Sequence, residues 1–173
     1  MTFRYLQLLF PVLVALHNVE EAIGMPRWTR RSGPWFGGVQ PAVFRFALIV
    51  FTVLALVITV LSAVSGRMTF WGNLTFGYMI AMLFNALVPH IAVSLAKRTL
   101  MPGVITAATL NLPILSFLAA LALKEGYVSK HDALVFSLVV PVLLLFSILL
   151  LFKLGKSISW KPSVRAPERP HRR

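Results

Sequence analysis

Residues 133–152 read ALVFSLVVPVLLLFSILLLF, twenty residues without a charge. As a helix rising 1.5 Å per residue, this stretch is roughly 30 Å long, the thickness of bilayer hydrocarbon. Working back towards the N-terminus, four more apolar runs appear, at residues 104–123, 73–96, 46–66 and 3–24. Each is close to the roughly 20 residues a helix needs to cross lipid. Lipid offers backbone groups no hydrogen-bond partner, so crossing segments are helices or closed barrels. A barrel would show shorter segments of alternating polarity. The sequence therefore predicts an all-α, polytopic membrane protein. Its domain, residues 1–155, is a single bundle of five transmembrane helices, followed by a basic, disordered tail over residues 156–173.

Composition agrees. Of 173 residues, 58% are apolar and 13% charged, and mean hydropathy is +0.81. A chain of this size could not hide so much apolar surface from water, so the bilayer is its solvent. The net charge of +12 raises the possibility of nucleic-acid binding, but the basic residues are not gathered into a patch. Seven of the 17 lie from Lys153 onward, and nearly all the others fall in short gaps between apolar runs, as in membrane proteins. Nucleic acid is therefore not expected as a partner. There is no cysteine, which excludes disulfides and thiolate metal sites.

The gaps supply topology. The longest, Met25–Ala42, has Pro, Gly and Trp and reads as an irregular interfacial loop, with Trp28 and Trp35 at headgroup level. Ser129 and Asp132 are natural caps for the last helix. The first apolar run has no small-residue cleavage site ahead of His17 and reads as a retained helix. One end of the bundle carries Arg4, Arg67, Lys124 and Lys130. The other carries Arg27, Arg30, Arg31, Arg45, Lys97, Arg98 and the seven residues from Lys153, which is 4 against 13. Positive charge gathers on the cytoplasmic side, so the expectation is a bacterial plasma-membrane protein with its N-terminus outside and C-terminus in the cytoplasm.

Two of the five acidic residues, Glu20 and Glu21, lie inside the first apolar run. A charge there is costly and points to function with a partner. His17 is one partner. At 100° per residue, Glu21 lies about 40° to one side of it and Glu20 about 60° to the other, so one helix face presents an imidazole flanked by carboxyls. Counting from the helix ends, His17, His90 and Asn111 all lie roughly 10–12 Å from the cytoplasmic side. Pro89 cannot donate to the Asn85 carbonyl, which predicts a kink beside His90. In an ideal helix Asn85 and His90 would point about 140° apart, so Asn85 lines the site only if the kink turns it. Asn85 and Asn111 are accordingly secondary lining residues. Pro113 frees the carbonyl of Thr109 in the same way.

His17-Asn18-Val19-Glu20-Glu21 resembles the H-x-x-E-E signature of the HXXEE family of bacterial integral membrane proteins. Met25-Pro26-Arg27-Trp28, the Asn85 to His90 segment, Met101-Pro102-Gly103 and Thr106-Ala107 are similar landmarks in the same order. The resemblance covers roughly residues 5–125. It implies a membrane location and an enzymatic role centred on the motif residues.

Three chemistries fit these groups. In the first, His17, His90 and a carboxylate from Glu20 or Glu21 hold a divalent metal (zinc, iron or manganese), while the second carboxylate serves as general base. In the second, His17, Glu20 and Glu21 are the catalytic groups of a metal-free acid–base isomerase or cyclase. Either enzyme would take a hydrophobic, lipid-like or isoprenoid small molecule. The third is a different class of function: a proton-coupled carrier, or a membrane partner whose carboxylates pair with another subunit. Nucleophile-elbow and phosphate-loop motifs are absent from the sequence.

Overall fold

The computed structural model describes residues 2–31 and 40–157. Every regular element among them is helical, and five helices are long and apolar enough to cross a membrane: Thr2–Thr29, Pro41–Ser65, Phe70–Lys97, Val104–Lys124 and Lys130–Leu154. They are numbered first to fifth below. This is a multi-pass, all-α membrane protein with a lipid bilayer as its environment. The tail expected from residue 156 lies, from residue 158, outside the described residues, as does Trp35.

The third helix is the centre of the bundle. It packs against the second, fourth and fifth, and the first packs against the second and the fourth. Polarity is arranged for lipid. Leu138, Val142, Leu145, Phe146 and Leu149 of the fifth helix are exposed, whereas Gln7, His17, Asn18, Thr59, Ser62, Thr75, His90 and Asn111 are buried. Without a hydrophobic force between helices in lipid, such side chains act as hydrogen-bonding glue. Asn18 Nδ2 donates to the Leu48 carbonyl at 3.1 Å and to Thr52 Oγ1 at 2.7 Å, joining the first and second helices. Tyr78 Oη donates to the Phe51 carbonyl at 2.9 Å, joining the third and second. The fifth helix comes close because Gly77 has no side chain. A Cβ there would lie 2.7 Å from the Phe136 carbonyl oxygen.

The helix starts and stops follow local chemistry. Thr69 caps the third helix, its hydroxyl accepting from Gly72 N. Ser129 Oγ accepts from Asp132 N at 3.0 Å and opens the fifth, as the sequence predicted. One expectation is corrected. Met25–Arg31 is not part of an irregular loop, because the first helix continues through Arg31 despite Pro26. Pro26 deprives the Ala22 carbonyl of its usual donor, and Arg45 Nε donates to that carbonyl at 3.3 Å instead. A side chain from the second helix thus repairs the defect.

At the N-terminal end of the first helix a closed polar knot ties three segments. Gln7 Nε2 donates to Tyr127 Oη at 3.0 Å, and Ser62 Oγ donates to Gln7 Oε1 at 2.8 Å. Tyr127 Oη donates to the Ser62 carbonyl at 2.7 Å. All three residues are buried. Tyr127→Phe should lower stability by about 0.5–1.5 kcal/mol, because buried hydrogen bonds are lost while the Ser62 carbonyl keeps the Gly66 N–H as a donor. This is read as a lower thermal midpoint in detergent; an unchanged midpoint would show that the knot is not stabilising.

Candidate metal centre on the first, third and fourth helices

The third helix is π-helical over Ala86–Ala92 and the fourth over Ala107–Asn111. Each segment contains a proline that cannot donate or ends two residues before one: Pro89 in the first case, Pro113 in the second. A π turn bonds residue i to i+5 and so brings residues five apart towards one face. Asn85 and His90 are such a pair. In place of the wide separation of an ideal helix, both reach the first helix. Asn85 Nδ2 lies 3.1 Å from His17 Nε2, and the His17 and His90 rings meet edge to face at a centroid distance of 4.6 Å. The condition set for Asn85 is met by a change of helix type.

His17 and His90 are almost fully buried, at 0% and 1% exposure. Glu21 Oε1 lies 3.1 Å from His90 Nε2 and 3.9 Å from His17 Nε2. The Glu21 contact is off the line of a ring N–H, so neither nitrogen of His90 has a hydrogen-bond partner among the described residues. A buried polar group without a partner is costly and calls for an explanation. One ligand atom each from His17, Glu21 and His90 can be chosen so that all lie within 4.8 Å of one another. Two ligands on a tetrahedral ion with bonds of 2.0–2.1 Å stand roughly 3.3 Å apart. The 3.1 and 3.9 Å separations bracket that spacing.

Glu20, named in the sequence with Glu21 as a ligand or base, points elsewhere. It is half-buried, and its carboxylate accepts from Ile105 N at 3.2 Å, Thr106 N at 2.8 Å and Thr106 Oγ1 at 2.7 Å. The fourth helix begins after Gly103, which has no side chain to cap it. Glu20 supplies that cap from the first helix, placing negative charge at the positive end of the fourth. The angles of the first helix thus divide the two carboxylates, Glu21 to the histidines and Glu20 to the helix terminus. Asn111 is fully buried with both side-chain polar atoms unpartnered among the described residues.

Two residues at the site entered the sequence reading only as landmarks of the family resemblance, not as site residues. Thr106 Oγ1 lies 3.0 Å from His17 Nδ1, and Gly103 underlies both imidazoles. The available signal was a glycine opening a helix after Pro102, with a hydroxyl three residues on. Gly103 has φ +94°, and a Cβ there would lie 2.5 Å from His90 Cε1 and 3.0 Å from His17 Cε1. Gly66 has a similar φ of +86° but nothing within 4 Å. Both alanine variants should be strained, but Gly103→Ala should cost about 1–3 kcal/mol more, through overpacking. Equal thermal midpoints for the two variants would refute the close fit.

A shallow groove of about 310 Å³ opens beside Glu20, lined by Ile23, Gly24, Leu100, Met101, Pro102, Val104 and Ile105. It lies against the residues that close the fourth-helix end of the site.

A family model described as "Protein of unknown function with HXXEE motif" matches residues 8–118. The chain is similar to the "Uncharacterized protein YrkK" of Bacillus subtilis (strain 168), with 31% identity over 157 residues, covering 90% of this chain and 98% of that protein. No solved structure matches. His17, Glu20 and Glu21 are the named positions of the motif, two of them members of the cluster with His90, and the chain belongs to the HXXEE family.

Proposed function

We propose that this protein is an integral-membrane enzyme of the bacterial plasma membrane, working at a divalent metal held by His17, Glu21 and His90 and acting on a lipid-like or isoprenoid substrate. The observation that carries the reading is the convergence of these three side chains, from two helices, around a His90 ring that has no hydrogen bond among the described residues. Two histidines and a glutamate are the ligand set of an open catalytic zinc site, and iron or manganese accepts the same donors. Such an ion would act as a Lewis acid on a polar group of the substrate or on water. Glu21 is the ligand carboxylate in this reading. Glu20, held by the fourth helix, supports the site instead of abstracting a proton. The apolar groove beside Glu20 favours a hydrophobic substrate arriving from the bilayer.

Elemental analysis of detergent-purified protein should find one metal per chain. His17→Ala and His90→Ala should each lose it while still eluting as a folded bundle. Metal retained in His90→Ala would overturn the two-histidine site. A metal-free wild type that takes up none of the three metals on reconstitution would favour a second reading, acid–base isomerisation or cyclisation by the Glu21–His90 pair, whose heavy atoms are 3.1 Å apart.

The orientation in this reading has the N-terminus outside and the C-terminus cytoplasmic, from the 4-against-13 distribution of basic residues. Packing supports the pairing of ends on which the count depends. Arg4 Nε donates to the Ala63 carbonyl and Arg67 meets Glu125 at one end, while Lys97 stands over the Trp28 ring at the other. A tag fused after Arg173 should be accessible only from the cytoplasm. Labelling of it in intact cells by an impermeant reagent would reverse the topology.

A further inference from the structure

We infer that Thr106 and Glu20 are positioning residues that hold the His17 proton on Nδ1, leaving Nε2 as the lone-pair nitrogen aimed into the cluster. Thr106 Oγ1 has one proton and three close polar neighbours. Glu20 Oε2 lies at 2.7 Å, the Gly103 carbonyl at 3.2 Å and His17 Nδ1 at 3.0 Å. The carbonyl can only accept, as can an ionised carboxylate. Glu20 already accepts from the Ile105 and Thr106 amides, a setting that suits the ionised form. The hydroxyl proton therefore goes to one of these oxygens, and its lone pair faces His17. That contact is a hydrogen bond only if Nδ1 carries the proton.

The other side of the ring independently gives the same assignment. Asn85 Nδ2 lies 3.1 Å from His17 Nε2, and an amide nitrogen donates and does not accept. Nε2 is also the nitrogen 3.9 Å from Glu21 Oε1. In the metal-free protein the ordered chain is therefore Asn85 N–H to His17 Nε2, then His17 Nδ1–H to Thr106, then Thr106 O–H to Glu20; a bound metal would take the Nε2 lone pair in place of the Asn85 N–H. Metal-binding histidines are commonly oriented by a hydrogen bond from the distal ring N–H to an acceptor, and loss of that partner weakens binding. Here the acceptor is a threonine hydroxyl, itself held by a carboxylate that also caps a helix. The tautomer assignment stands without a metal; only its effect on metal affinity rests on the function proposed above.

The full-length chain, labelled with ¹⁵N-histidine, can be studied in detergent under mildly alkaline conditions, where free imidazole is neutral. His17→Ala identifies the His17 signals by their loss. Wild type and Thr106→Ser should show His17 protonated at Nδ1. Thr106→Val, which keeps the shape but removes the acceptor, should lower the share of His17 protonated at Nδ1, with Asn85 as the remaining partner that favours it. Size-exclusion elution at the wild-type volume shows that the valine variant is folded. Protonation at Nε2 in wild type would overturn the inference, as would an unchanged tautomer in folded Thr106→Val. Added zinc then separates the two ideas. Affinity should fall about 10–100-fold in Thr106→Val and be largely kept in Thr106→Ser. The expected tautomers in a protein that binds no zinc would remove the metal reading and leave this one standing. Zinc bound equally by wild type and Thr106→Val, with one tautomer in both, would do the reverse.

Discussion

Lipid solvates the outside of this bundle but offers nothing to a hydrogen-bond donor or acceptor, so every polar group within the hydrocarbon must find its partner inside the protein. That constraint explains where the polar side chains are. Asn18 and Tyr78 cross between helices to reach backbone carbonyls. Gln7, Ser62 and Tyr127 close a knot in which each satisfies another. Arg45 supplies the donor that Pro26 withholds from Ala22. Against this background of satisfied groups, the ring nitrogens of His90, the side-chain amide of Asn111 and Asn73 Oδ1 stand apart, with no hydrogen-bond partner among the described residues.

Proline shapes the site through the same constraint. A proline inside a crossing helix frees a carbonyl, and the backbone must be satisfied locally or from a neighbour. The first helix uses a neighbour's side chain and stays α-helical. The third and fourth widen into π turns instead. The consequence reaches beyond the backbone, because a π turn changes which residues share a face. Asn85 and His90 meet His17 together only because the third helix is unwound between them. Thr106 and Asn111, also five apart, span the matching segment of the fourth.

Close approach completes the assembly. The start of the fourth helix can sit beneath the two imidazoles because Gly103 has no Cβ. A glycine there leaves the helix without a cap of its own, and Glu20 fills that role from the first helix. Helix start, histidine packing and the Thr106 contact to His17 are thus one arrangement. The motif's two adjacent glutamates serve it differently because one residue of helical rotation sends them to different neighbours.

The sequence alone determined the solvent and the number of crossings. An uncharged run such as residues 133–152 has only one stable environment, and that depends on composition and length, not on neighbours. It also determined that His17, Glu20 and Glu21 share a side of the first helix and that His90 lies at a similar depth, since rise and rotation per residue are local properties. Tertiary structure decided the rest. Whether Glu20 joined Glu21 or turned away depended on where the fourth helix began, which no spacing within the first helix encodes. Whether Asn85 reached the site depended on how the chain around Pro89 restored its hydrogen bonds. The approach of Gly103 to His17 and the Thr106 contact arise between segments more than eighty residues apart in sequence. Such contacts depend on the mutual packing of helices, and a one-dimensional pattern records only each helix's own face.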